Sequence, residues 1–225
     1  MENKQKFNHS PSSEEVNTVT PEDIISQEQY FDNISVYHIN NPNLFHFFIN
    51  NAYESNPHSA FLTMDYSVDD YAKMDKIVLN NGTAGVAIKE DGDIVSVFKN
   101  TALAERDGIG KIGQTILMES LKSGGNHLDC YDGYLPRLYG SIGFKPICKI
   151  KFNDEYAPDN WDFERDGRPD VVFIVHPNEP LQEIMRKRDL NLYPPITNDL
   201  EDAPYVNDYD EASILINEYI ETEYK

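Results

Sequence analysis

Basic residues are scarce in this chain of 225 residues: Lys and Arg number 19 against 39 Asp and Glu, a formal net charge of -20 at neutral pH. Such a chain repels a phosphate backbone and has too few cations to form a basic stripe, which excludes direct nucleic-acid binding. Cysteine is nearly absent too. Cys130 and Cys148 make no disulfide framework and no metal cluster, and both are expected as small buried apolar side chains in neighbouring strands. His127 and His176 show no triad or metal spacing. No apolar run approaches the roughly 20 residues needed to cross a bilayer, and the first residues lack the apolar stretch of a signal peptide. The expectation is a soluble cytoplasmic protein without membrane contact.

What is present suffices for one core: 40% of the residues are hydrophobic. Residues 1–22 are polar, with Ser10-Pro11-Ser12-Ser13-Glu14-Glu15 and no apolar period, and are expected to be a disordered tail. Residues 23–177 are expected to form the domain, and 178–225 an acidic C-terminal extension. Asp199, Glu201, Asp202, Asp208, Asp210, Glu211, Glu218, Glu221 and Glu223 load that extension. Within it, Ile214, Leu215, Tyr219 and Ile220 give 208–224 the pattern of an amphipathic helix that can contact a protein partner. The acidic balance keeps a protein soluble, and it favours a basic partner or an amine substrate.

Periodicity supplies the order of elements. Residues 34–39 alternate as a strand; Asn41-Pro42-Asn43 opens a helix; Ser67 with Asp70 forms a capping box over a second, short helix. Residues 77–79 either pair or lead into a strand at 85–88, and Asp91-Gly92 turns that strand back into 94–98. A helix over 110–123 stops at Gly124-Gly125. Then come a strand at 127–131, a helix over 135–142, a strand at 147–152, a polar loop at 154–170 carrying Trp161, and a strand at 171–175. This is a mixed α/β sheet.

The chemistry-bearing motifs lie between 97 and 144. Gly108-Ile109-Gly110-Lys111 precedes a helix, where unpaired N–H groups and the helix dipole suit a pyrophosphate. A glycine turn also serves simply to pack a helix closely on a strand. The string Gly108-x-Gly110-x-x-Gly113 lacks the βαβ context of a dinucleotide fold. Further on, Leu138-Tyr139 is followed by Gly143-Phe144, where glycine ends a helix and Phe144 begins a core strand.

In order and spacing these motifs resemble the acyl-CoA-binding half of the GNAT N-acetyltransferases. The resemblance implies a mixed, mainly antiparallel central sheet flanked by helices. It implies acetyl-CoA as co-substrate and transfer to a primary amine, either a small molecule or a protein lysine or N-terminus. It places Val97, Phe98 and Lys99 along the pantetheine arm, Arg106, Gly108, Ile109, Gly110 and Lys111 at the pyrophosphate, and Tyr139 beside the sulfur as general acid. Glu105 and Asp107 depart from the family's Gln/Arg-x-x-Gly-x-Gly/Ala pattern, and Asp132 stands where the family commonly has a coenzyme-binding asparagine. Asp129 is the candidate base, with Asp132 and the more distant Glu105 as alternatives. A GNAT-shaped protein with reduced catalysis, binding a basic partner as inhibitor or assembly factor, is the alternative.

Overall fold

Asn41 Oδ1 accepts a hydrogen bond from the Leu44 N–H at 3.1 Å, and Pro42 fits the first turn, so α1 (Pro42–Ser55) starts where its sequence dictates. α2 (Val68–Tyr71) carries the expected capping box, with reciprocal bonds between Ser67 and Asp70. The computed structural model describes residues 18–30, 34–56, 66–107 and 112–224. Most of the expected N-terminal tail, up to residue 17, lies outside the described residues.

Five strands form an antiparallel sheet in the order β1-β2-β3-β4-β5: β1 (Ile24–Tyr30), β2 (Ile34–Ile39), β3 (Asp75–Leu79), β4 (Ala84–Ile88) and β5 (Ile94–Lys99). β1 falls where no periodicity announces a strand. As an edge strand with mostly exposed residues it needs no alternating apolar face. The segment at 77–79 is a full strand. The β4–β5 turn has positive φ at Gly92 (88°) but not at Asp91, and Lys89 N–H bonds the Asp93 carbonyl across a three-residue loop, in place of the expected two-residue turn.

A second, three-stranded antiparallel sheet has the order β6-β8-β7: β6 (His127–Tyr131), β7 (Lys145–Ile150) and β8 (Val171–Val175). Among the described residues the backbones of the two sheets are joined by a parallel bridge between Asp93 and His127, reinforced by Asn126 N–H to the Gly92 carbonyl at 2.9 Å.

Helices cover both faces. α1 and α2 bury Phe45, Phe48, Ile49 and Tyr71 against one face of the first sheet. On the other face α4 (Ile112–Lys122), α5 (Tyr134–Gly140) and α6 (Leu181–Asp189) share a core with Val86, Leu128, Ile142 and Ile174. An unexpected helix, α3 (Thr101–Asp107), precedes α4; the Asn100 side chain accepts from the Leu103 N–H at 3.0 Å and starts it. After α7 (Thr197–Asp202), α8 (Tyr209–Glu223) lays Ala212 and Ile216 on Cys148, Phe173 and Val175. The apolar face of the C-terminal helix is therefore occupied by the chain's own second sheet.

Candidate functional site

The site begins with a bulge. Between the pairs Gly85–Phe98 and Ala87–Val95, β5 carries one residue more than β4, and Ser96 takes φ 52°. A serine in the left-handed region costs free energy, and the Ser96 Oγ contact with the buried Tyr71 hydroxyl at 2.8 Å offsets it. The extra residue bends β5 away from β6 just beyond their single bridge. Among the described residues, β5 from Val95 to Lys99 has no backbone partner in β6, so the pairing between the two strands opens beyond the bridge.

β6 presents different chemistry to the two faces of that opening. Leu128 and Cys130 point into the core with Tyr139, whereas Asp129 pairs with Phe173 and shares its face, toward α8. Asp129 is exposed in surface area. Crowding by the surrounding protein, aided by the Asp93 carboxylate and opposed by a 3.3 Å hydrogen bond from the Tyr209 hydroxyl, pushes its carboxyl up to about 6. A carboxylate with that value is suited to take a proton near neutral pH.

Beside it, Lys89 Nζ contacts Asp93 at 2.7 Å; burial opposes the lysine's charge, but the Asp93 and Tyr66 side chains outweigh it and raise its pKa. Burial lowers the pKa of His127, 3.9 Å from Asp93, so the ring is neutral at pH 7.

Tyr139 is buried, with its ring 6.1 Å from Phe144. Burial first, then Cys130 and Asp129, push its phenol up, so it holds its proton until negative charge develops nearby. Gly143, at φ 101°, ends the turns that follow α5, and Phe144 N–H closes on the Tyr139 carbonyl at 3.3 Å. α5 itself begins at Tyr134 and ends at Gly140, against the expected 135–142.

Tyr139 and Asp129 thus lie on opposite faces of β6, and Val97, Phe98 and Lys99 are the last residues of β5. Val97 packs on the α4 side, Phe98 is buried beside Phe45, and Lys99 is exposed. Asp132 turns its carboxylate onto the Gly133 N–H at 2.6 Å, at the start of α5. Arg106, with Glu105, sits on α3. The expected pyrophosphate residues Gly108, Ile109, Gly110 and Lys111 lie outside the described residues. Both cysteines are free and buried, and burial raises both thiols.

Residues missed from the sequence are Ser96, Tyr71, Asp93 and Tyr209. They come from α2, from the β4–β5 turn with the strand it enters, and from α8, and no local pattern links all four. The expected polar loop after β7 is also anchored. Trp161 stacks at 4.9 Å from Tyr131 and donates its indole N–H to the Gly167 carbonyl at 3.0 Å, which fixes that loop against the end of β6.

No protein-family model matches the chain, and no curated protein does. Solved structures similar to it include the IAA acetyltransferase from Bacillus cereus, at 16% identity and TM-score 0.40, covering 64% of this chain and 98% of that one. The ribosomal-protein-S18-alanine N-acetyltransferase from Escherichia coli is similar at 16% identity and TM-score 0.43, covering 65% and 95%. An acetyltransferase of the GNAT family from Staphylococcus aureus is similar at 12% identity and TM-score 0.35, covering 62% and 97%. The chain has a mixed α/β fold whose two antiparallel sheets part between β5 and β6, beside the bulge at Ser96.

Proposed function

We propose that this chain is an acetyl-CoA-dependent N-acetyltransferase acting on a primary amine. The observation that carries the reading is the opening between β5 and β6, with an unpaired strand edge on one side and Asp129 and Tyr139 on opposite faces of the other. An extended amide-bearing pantetheine arm fits such an edge, because the strand offers it N–H and C=O groups in ladder register. When bound, the coenzyme thioester supplies the activated acetyl carbon.

Asp129 takes the proton that an incoming ammonium must lose, directly or through one water. As the nitrogen–carbon bond forms and the carbon–sulfur bond breaks, Tyr139 gives its proton to the departing sulfur, and the second proton shed by the acetylated nitrogen passes through solvent to restore the phenol. The backbone of β5 at Val97, Phe98 and Lys99 holds the arm, and Arg106, Gly108, Ile109, Gly110 and Lys111 receive the pyrophosphate.

Calorimetric titration with acetyl-CoA tests this, with Gly110→Trp in the Gly-x-Gly stretch as control. Micromolar binding that the control loses is the expected result. No binding at millimolar ligand would sink the enzyme reading. It would favour instead a GNAT-shaped interaction protein, for which Asp210, Glu211, Glu218 and Glu221 leave an exposed acidic surface on α8 toward a basic protein.

A further inference from the structure

The first turn of α8 reaches back across the second sheet to the candidate base. Tyr209 Oη donates to Asp129 Oδ2 at 3.3 Å, and its ring meets Phe173, the residue paired with Asp129 across β6 and β8, edge-on at 5.0 Å. Yet Tyr209 is 54% exposed, so it is poorly suited to anchor the helix. Docking is served elsewhere, by Ala212 and Ile216 in the apolar core and by the Tyr224 hydroxyl on the His176 carbonyl at 2.9 Å.

The chain just before Tyr209 is fixed by several independent bonds. Lys149 N–H bonds the Pro204 carbonyl at 2.8 Å, and Val206 N–H bonds the Lys149 carbonyl at 2.9 Å, pinning the segment to the β7 edge. Lys149 Nζ, buried, donates to the Leu200 carbonyl at 2.5 Å at the end of α7. Asp208 caps α8 through the Glu211 N–H at 2.9 Å, and the Glu211 carboxylate returns to the Asn207 N–H at 3.0 Å. A helix start held this firmly presents its first side chain with little freedom, as a site needs of the groups that orient it.

We propose that Tyr209 is a positioning residue for Asp129 and that the first turn of α8 forms one wall of the amine-acceptor site. This rests on the acetyltransferase reading. The hydroxyl holds the carboxylate in one rotamer and occupies one of its lone pairs, leaving the other oxygen directed to the acceptor. The wall is negative in character where the acceptor nitrogen arrives: Asp129 and Asp93 face Lys89 and a neutral His127, with the phenol of Tyr209 above and Cys130 and Tyr139, both protonated, on the opposite face. A cationic amine is the acceptor such a wall admits.

The test compares wild type, Tyr209→Phe and Tyr224→Phe in the full chain, the last removing a hydrogen bond at the far end of α8. The Asp129 carboxyl is titrated by carbon NMR, acetyl-CoA affinity is measured by calorimetry, and kcat/KM is followed against pH with a polyamine acceptor. Expected are equal acetyl-CoA affinities in all three and an Asp129 titration that moves upward only in Tyr209→Phe. The acid limb of kcat/KM should move with it, costing about 3- to 10-fold at pH 6, the worth of one hydrogen bond.

An Asp129 titration unchanged in Tyr209→Phe, or moved equally in Tyr224→Phe, overturns the positioning role. Absence of acetyl-CoA binding in all three overturns the underlying enzyme reading and with it any catalytic meaning for Tyr209, whichever way Asp129 titrates.

Discussion

The Tyr71 and Ser96 hydroxyls meet at 2.8 Å in the interior, tying α2 to the bulged residue of β5. Tyr71 in turn packs edge-on against Phe45 at 4.9 Å, so the bulge that opens the sheet is braced by both helices of that face.

Ser96 therefore tests how the opening is held. Ser96→Val forces a β-branched residue into positive φ and removes the hydroxyl that meets Tyr71, and is expected to cost roughly 2–4 kcal/mol in urea denaturation. Ser96→Gly also loses the hydrogen bond but relieves the backbone, and should fall within about 1 kcal/mol of wild type. Equal losses in the two would mean that backbone strain is not stored there.

Glu119 on α4 is 1% exposed, and no hydrogen bond among the described residues reaches its Oε1; Lys122 Nζ lies 2.9 Å away, off the hydrogen-bonding direction. Burial, with Glu28 adding, pushes this carboxyl up to about 7 from an ordinary 4.5. A raised folded-state value means the folded protein holds the proton more tightly. The stabilisation is fully present below about 4.5 and is lost as pH rises through about 7. Glu119→Gln should then raise stability at pH 8 by about 1–3 kcal/mol and change it little at pH 4, read from melting curves at the two pH values. A loss at pH 8 would show that the Lys122 contact outweighs the burial cost.

Asp129→Asn should lower kcat/KM by roughly 10² to 10³ and abolish the rise in rate as pH passes upward through about 6, since the base acts only when ionised. Tyr139→Phe keeps the buried ring and should lower kcat by about 10- to 100-fold. Neither should alter acetyl-CoA affinity measured by calorimetry. An unchanged pH profile in Asp129→Asn would transfer the role of base to another carboxylate.

Features written in short-range chemistry were legible in the sequence. The Asn41 cap, the Ser67–Asp70 capping box and the left-handed stop at Gly143 each depend on residues within a few positions of one another, and the structure has all three. Tyr139 and Asp129 could be picked out as candidates for the same reason: a strand end and a short helix flank one turn. β1 was not legible, because a polar edge strand has no period of its own and exists only by pairing with β2. Nor was α3, which depends on the Asn100 cap at the end of β5 rather than on an apolar stripe.

By itself the sequence determined the alternation of helix and strand, the charge of the chain and the identity of the groups available for proton transfer. These are properties of a residue and its near neighbours. Only the tertiary structure decided what those groups are worth. The bulge at Ser96 arises from pairing β5 with β4 and from the hydroxyl of Tyr71, 25 positions away. The elevated carboxyl of Asp129 arises from crowding by the surrounding protein and from the Asp93 carboxylate, against the opposing hydrogen bond from Tyr209, 80 positions further along. Desolvation and through-space charge fall off with distance in space, not along the chain, so no local pattern could have announced them.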